Sequence, residues 1–366
     1  MPGVLTPSYL ADFETEMKVV SGTDYDRLND KLWWPSVVKR RTTGSRREIL
    51  TWLLATAQIE YGNQDGGTMR FEQLESMLTE LVHQEANSGF KMHKYQLDDT
   101  DGNGWDLGTE WAKQIGAYMA YWPQKQAARF LKEAHNLQTV GAAGKLSGFT
   151  AYDLLAFFSN AHPVNPFRPE TGTYANIFTG AASSTPSTDL LDAIYPGACP
   201  IDVSVTLEVA IQNLTKIFAY ITSLVMPNGE DPRNLSPMGI ICAPALGVRA
   251  NQLFNSKFIS ASNSGTGGGS QDIEGIVSGM GFQAPLIAPE LATFENGTTF
   301  FVLAKEAQAS ELGAIIYTER EPFKISYYDG AIDAQLDRLK QLEWHLSGRN
   351  SVSPGHPYHL FKCKAS

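Results

Sequence analysis

Hydrophobic positions in this chain fall into a few well-spaced stripes, separated by polar and glycine-rich stretches. The clearest stripe runs from Val205 to Val225: Leu207, Ile211, Leu214, Phe218, Ile221 and Leu224/Val225 recur at three- and four-residue spacing and predict an amphipathic helix. Met226-Pro227-Asn228-Gly229 stops it. Residues 107–136 predict a second long helix, with Trp111, Ile115, Tyr118, Met119 and Trp122 on one face. Pro123 should kink that rod or open a new helix at its first position, because an interior proline loses a helix hydrogen bond. Phe71, Leu74, Met77, Leu78, Leu81 and Val82 also follow helical spacing, and Asn87-Ser88-Gly89 reads as the stop of a helix there.

Other segments read as strands or loops. An apolar stretch, Ile49 to Tyr61, ends in the turn Gly62-Asn63-Gln64-Asp65-Gly66-Gly67. Gly239–Ala243 is short and continuously apolar, a buried strand, and Pro244–Asn255 a short helix. Ala284–Ala288, Thr298–Ala304 and Ala314–Thr318 are strand-like, and Ile325–Phe361 reads as long strands joined by turns. Residues 160–204 read mostly as extended loop, and Ser262–Ser270 as a flexible one. Residues 1–48 mix charges without a period, as an arm with little core of its own would. Their basic run, Lys39-Arg40-Arg41 to Arg46-Arg47, is either a solvated segment or a contact for an acidic partner.

Composition narrows the function classes. With 366 residues, 43% hydrophobic and 11% aromatic, the chain is one large folded domain or two modest ones. A net charge of −10 argues against bulk nucleic-acid binding, which needs clustered cations. Three cysteines, Cys199, Cys242 and Cys363, exclude a disulfide framework and fit a reducing compartment. The start lacks the basic and apolar regions of a signal peptide, and the longest apolar stretch, Ile217–Met226, is too short to span a bilayer. A soluble protein made inside the cell, without a membrane partner, is expected. The 32 glycines and 19 prolines make it rich in loops.

Candidate chemistry is sparse. Asp99-Thr100-Asp101-Gly102-Asn103-Gly104 with Glu110 matches the EF-hand pattern, with oxygen ligands at loop positions 1, 3, 5 and 12 and glycine at 6. Against it, the eighth position is Asp106 and Phe90–Asp98 is a poor helix. A calcium-binding module using Asp99–Glu110 is the alternative function. Gly279-Met280-Gly281-Phe282-Gln283-Ala284 resembles a dinucleotide fingerprint, but Pro285 sits where its helix should run. Gly141–Lys145 is followed by Leu146 instead of a magnesium-binding Ser or Thr. Among the seven histidines, only His356 and His359 are close, and packing is the better reading for them. No catalytic, cofactor-binding or metal-binding residues are assigned, no cofactor is expected, and the chain is not expected to be an enzyme.

Several segments stand out, in order: Phe157-Phe158-Ser159-Asn160-Ala161-His162-Pro163-Val164 with Pro166; Leu235 to Leu246, followed by Ala250-Asn251-Gln252-Leu253-Phe254; Phe300-Phe301-Val302-Leu303-Ala304; Tyr317 to Pro322; and Leu346-Ser347-Gly348-Arg349-Asn350 through Pro357-Tyr358. As an ordered set they resemble the Mu-like phage major head subunit family. They cover about residues 90–366, and none is a catalytic signature. The resemblance implies an α+β chain with the Hong Kong 97-type phage capsid fold. Its parts would be an N-terminal arm (1–48), an extended loop (49–97), a peripheral domain (98–204) with its spine helix at 107–136, an axial domain (205–321) and C-terminal strands returning to the peripheral domain (322–366). Residues 70–86 depart from the pattern, looking helical where that fold often has a β-hairpin.

The implied function is that of a major capsid protein of a tailed bacteriophage. Copies would self-assemble as hexamers and pentamers into an icosahedral shell around double-stranded DNA. Implied partners are other copies, scaffold, portal and decoration proteins, and packaged DNA held without sequence-specific binding. The implied location is the virion capsid, after assembly in the host bacterial cytoplasm. Loops and arms that reach neighbours suit such a subunit, because identical copies multiply weak contacts.

Overall fold

The computed structural model describes residues 7–29, 31–45, 47–53, 76–93, 103–140, 146–178, 198–255, 283–310, 312–327 and 341–364. Helix α1 (Pro7–Asn29) leads through a 3-10 turn at Trp34–Ser36 into strands β1 (Val38–Thr42), β2 (Arg47–Leu53), β3 (Ser76–Val82) and β4 (Gln84–His93), then into the long helix α2 (Asn103–Glu133). Short strands follow: β5 (Thr139–Val140), β6 (Leu146–Ser147), β7 (His162–Pro163), β8 (Thr173–Tyr174) and β9 (Ile177–Phe178). The chain continues with α3 (Leu207–Ser223), β10 (Pro237–Cys242), α4 (Pro244–Asn255), β11 (Leu286–Ile287), β12 (Phe300–Ala304) and α5 (Glu306–Ala309). It ends with β13 (Ile315–Tyr327), β14 (Gln341–Pro354) and β15 (Leu360–Cys363). This is the α+β class expected from the sequence.

Among the described residues the strands build two larger sheets. One has the order β11-β10-β12-β15-β9, and its three central strands are buried on both faces. Alternate residues of its central strands enter different cores, because successive strand side chains point to opposite faces. Ile241, Phe301 and Leu303 face the core that holds Phe130, Leu131 and Phe157, whereas Ile240, Cys242, Phe300 and Val302 face α3 and α4. Helix α3 begins where Thr206 Oγ1 accepts from the Val209 N–H at 3.3 Å, a side-chain cap. Its predicted stripe is the packed face, with Ile211, Leu214 and Ile221 buried.

The other sheet has the order β1-β13-β14-β4. Strand β1 runs parallel to β13 from Val38 beside Ile315, and β14 pairs antiparallel with β4 from Gln341 beside His93 to Asn350 beside Gln84. Helix α2 lies on this sheet, where Ile115 meets Ile325 and Leu346, and the Phe90 and Trp111 rings stack at 5.3 Å. The helix runs unbroken through Pro123. Both flanks are held by packing, Ile115 on the sheet and Phe130 and Leu131 in the main core, which offsets the hydrogen bond that proline removes.

Two expectations are corrected. Residues 7–29 are helical, and α1 crosses α2 so closely that a Cβ on Gly116 would lie 2.3 Å from the Ser21 carbonyl oxygen. Trp33, Trp34, Val37 and Val38 then enter the main core, so the segment has more internal packing than an arm without a core. Its basic run is answered inside the chain: Arg40 pairs with Glu319, Arg41 with Glu48 at 3.2 Å and Arg47 with Glu80 at 3.0 Å. Residues 76–82, expected to be helical, form β3, and Asn87-Ser88-Gly89 lies inside β4. Met77 and Leu81 also satisfy an alternating pattern, and pairing with β2 decides between the two periods. The turn at 62–67 and the 262–270 loop lie outside the described residues.

Candidate functional site

Strands β2 and β3 pair antiparallel, Arg47 beside Val82 through Leu53 beside Ser76, as a two-stranded ribbon apart from both larger sheets. Its inner face is anchored. Leu50 and Trp52 are fully buried against Tyr152 and Ile316, and Trp52 Nε1 donates to Thr79 Oγ1 at 3.1 Å. Its outer face is not: Ile49 is 63% exposed and Leu78 65%, with Val82 beside Arg47 on the same face. Strands with one solvated face normally alternate apolar-in and polar-out. This ribbon instead carries large aliphatic groups on both faces.

The anchor continues into a cluster of rings and charges. The His356 ring meets Trp52 edge-on at 4.6 Å and stacks on Tyr358 at 4.7 Å. The Arg233 guanidinium sits 3.8 Å over the Tyr358 ring. His359 lies 5.2 Å from His356, and its Nδ1 contacts the Gly313 carbonyl at 3.2 Å. Burial and the neighbouring Arg233 push His359 down to about 4, even though the Gly313 contact opposes the shift. Burial, His359 and Arg233 hold His356 well below its ordinary value. Its Nδ1 is buried with no hydrogen-bond partner among the described residues. Tyr152, on the other side of Trp52, is raised by burial and by Asp153. Asp153 meets His162 Nδ1 at 2.5 Å, while His162 Nε2 meets the Phe157 carbonyl at 2.9 Å.

Two further polar centres tie the elements together. Glu290 accepts hydrogen bonds from Tyr121 and Gln124 at 2.5 Å and from Trp33 Nε1 at 3.2 Å, joining the N-terminal segment, α2 and the turn before β12. Lys362, 2% exposed, donates to Glu295 at 2.7 Å, and Thr299 donates to the other carboxylate oxygen at 2.5 Å. Burial pushes Glu295 up, but the hydrogen bonds from Lys362 and Thr299 outweigh it and hold the carboxyl below its usual range. All three thiols are buried and unpaired by disulfide; burial raises Cys199 and Cys242 to about 11 and Cys363 further. They pack as small apolar groups.

The other sequence candidates are scattered. Asp99 and Asp101 of the calcium pattern lie outside the described residues, as do the glycine runs at 141–145 and 279–282. Helix α2 already begins at Asn103, the fifth loop position, where an EF-hand loop must still wrap around its ion. Glu110, the intended bidentate ligand, points out from the helix and pairs with Lys113 at 2.8 Å. The alternative of a calcium module therefore finds no support. No group of three or more His, Cys, Asp or Glu among the described residues could hold a metal ion. Asn213 is buried, its side chain donating to the Pro200 carbonyl at 2.8 Å. Sequence reading took His356 and His359 for packing residues, which they are, but missed their partners Trp52 and Arg233, which no short spacing connects. The signal for Lys362 was present: a lysine inside the apolar run Leu360-Phe361-Lys362-Cys363.

No protein-family model and no curated protein matches the chain. Among solved structures, it is similar to a chain of the procapsid of bacteriophage JBD30, at 12% identity over 99% of this chain and 77% of that one, with a TM-score of 0.47. It is similar to a chain of the capsid of cyanophage P-SCSP1u, at 13% identity over 90% and 86%, with a TM-score of 0.49. It is also similar to a chain of the capsid of a native GTA particle, at 10% identity over 100% and 93%, with a TM-score of 0.48. All three scores lie under 0.5, so the functional reading rests on the chain's own residues.

Proposed function

We propose that this chain is the major capsid protein of a tailed bacteriophage, a structural subunit with the Hong Kong 97-type fold and no catalytic role. The observation that carries the reading is the ribbon: a two-stranded element anchored by Trp52, with Ile49 and Leu78 held in solvent on its outer face. Two strands alone are marginal in water, and an exposed aliphatic face on them gains stability only when another surface covers it. The partner proposed is another copy of the chain, repeated as hexamers and pentamers in an icosahedral shell.

Other features support the same reading. The segments that resemble the head-subunit family contribute core residues: Phe157, Phe158 and Phe301 to one core, Ile240 and Leu246 to the other. On this reading helix α2 is taken as the spine helix and the ribbon as part of the extended loop. Under this reading 1–48 is the N-terminal segment, 49–97 the extended loop, 98–204 the peripheral domain, 205–321 the axial domain and 322–366 the returning strands. The net charge of −10 suits a container that encloses DNA without gripping it. Among the described residues no helix is long and apolar enough to cross a membrane. The virion shell is the proposed location, with assembly in the host bacterial cytoplasm and with scaffold, portal and decoration proteins as further partners.

Electron microscopy and size-exclusion chromatography of the expressed chain test this. Closed shells or ring-shaped hexamers and pentamers are expected. A strictly monomeric chain under every assembly condition, with or without co-expressed phage assembly factors, would remove the reading.

A further inference from the structure

The base of the ribbon contains a group that the proposed function does not use. His356 is wedged between the Trp52 ring at 4.6 Å and the Tyr358 ring at 4.7 Å, and Arg233 caps the far side of Tyr358 at 3.8 Å. Its backbone is fixed, the N–H donating to the Gly313 carbonyl at 2.8 Å. Its Nδ1 has no partner among the described residues, so a proton added there finds no acceptor while the ribbon is seated. We propose that His356 is an acid-released latch: when its ring gains a proton, the β2–β3 ribbon unseats from the body of the subunit at Trp52.

The surroundings decide the sign. The charged and titratable groups near the ring are Arg233, His359, Tyr358 and, across Trp52, Tyr152. Asp153 is the carboxylate at this cluster, and it is engaged by His162 at 2.5 Å. A proton on His356 therefore adds a second positive charge beside Arg233, with no counterion free to meet it among the described residues. A histidine kept neutral by its surroundings binds a proton less readily seated than released. Seating thus loses free energy as pH falls below the free imidazole value of about 6.5. The loss stops growing once the seated ring is itself protonated. At pH 5 the opening constant can rise by up to about 30-fold, the ratio of charged to neutral free imidazole there. His359 does not duplicate the effect: it sits in the Pro357–His359 turn against Gly313, away from the ribbon, and its value of about 4 keeps it largely neutral at pH 5.

The ribbon is also the element able to move. Its outer face is in solvent, and among the described residues β2 and β3 pair only with each other. Opening at Trp52 would release it without breaking either larger sheet. For a shell subunit this is a way to hold the intersubunit element in one position and free it under acid, so the consequence, though not the latch itself, rests on the proposed function.

Hydrogen–deuterium exchange on the full chain, compared at pH 7 and pH 5 after correction for intrinsic exchange, reads the latch directly. Protection of β2 and β3 should fall about 10- to 30-fold at pH 5 while β10 and β12 keep theirs. In His356→Phe and His356→Gln the pH dependence should disappear. In Arg233→Gln the fall in protection should be smaller and level off at higher pH, because the seated ring, freed of a cation opposing its charge, takes up its proton closer to the free imidazole value. Equal ribbon protection at both pH values in the wild-type chain overturns the proposal, as does acid release that persists in both His356 variants. Neither outcome depends on whether the chain forms shells, which microscopy answers separately.

Discussion

Strand β12 and the ribbon strand β2 both carry large apolar side chains at successive positions, and those side chains finish in opposite conditions. Every residue of β12, Phe300 to Ala304, is buried, alternately in the two main cores. In β2, Leu50 and Trp52 are buried to 1% and 0% exposure while Ile49 between them remains in solvent. The apolar pattern of β12 is therefore answered within the chain, and that of the ribbon is answered only halfway. Burial of an aliphatic side chain contributes about 1.5–3 kcal/mol, so Ile49 and Leu78 hold unused stabilisation that a neighbouring surface could recover. The first strand specifies the subunit; the second specifies a contact.

The largest effect should come from β12. Phe301→Ala empties a fully buried site next to Phe158, whose ring is 5.6 Å away, and should cost about 3–5 kcal/mol in urea unfolding. A loss under 1 kcal/mol would mean that the central sheet is not the self-sufficient core described above. Next comes the buried pair at the same sheet. Glu295→Gln leaves the Lys362 ammonium without its carboxylate and should cost about 3 kcal/mol at pH 7. Lys362→Met combined with Glu295→Gln should recover much of that loss, since no charge is then stranded. The pH dependence sharpens the assignment. Glu295 is held below its usual range, so its contribution is present above about pH 4.3 and fades as pH falls through the folded value. The gap between wild type and Glu295→Gln should therefore narrow in acid; a gap that widens would contradict the pairing.

The same contrast explains what could be read from the sequence. Helix α3 and the β10–α4 unit were legible because their neighbours lie within the chain and their periods are unambiguous: Ile211, Leu214 and Ile221 are the face that packs. Residues 76–82 were misread because Met77, Leu78, Leu81 and Val82 fit a helical stripe and a strand with two apolar faces equally well. The deciding partner, β2, lies across residues 54–75. Pro123 was expected to interrupt a helix that tertiary packing carries through. The ring cluster was invisible for a different reason: Trp52, Arg233 and His356 are brought together by topology across 300 residues of chain, and a single aromatic or histidine has no periodic signature. Glu290, which gathers Trp33, Tyr121 and Gln124, was hidden in the same way.

The smallest effect on the subunit should come from the ribbon's outer face, and it is the sharpest test of the comparison. Ile49→Ser together with Leu78→Ser removes two aliphatic groups that the isolated subunit leaves in solvent, at 63% and 65% exposure. Surface changes of this kind usually move stability by no more than about 0.5 kcal/mol, and β-propensity accounts for part of that. Leu50→Ala, one residue away on the inner face, should cost about 2–5 kcal/mol instead, because it opens a cavity beside Trp52. Assembly should reverse the ranking per unit of stability lost. The outer-face pair should fold with an unchanged urea midpoint and still fail to form closed particles, since each contact it weakens is repeated at every copy. If the serine variant instead destabilises the monomer by more than about 2 kcal/mol and assembles normally, the outer face is part of the subunit's own core and the distinction between β2 and β12 collapses.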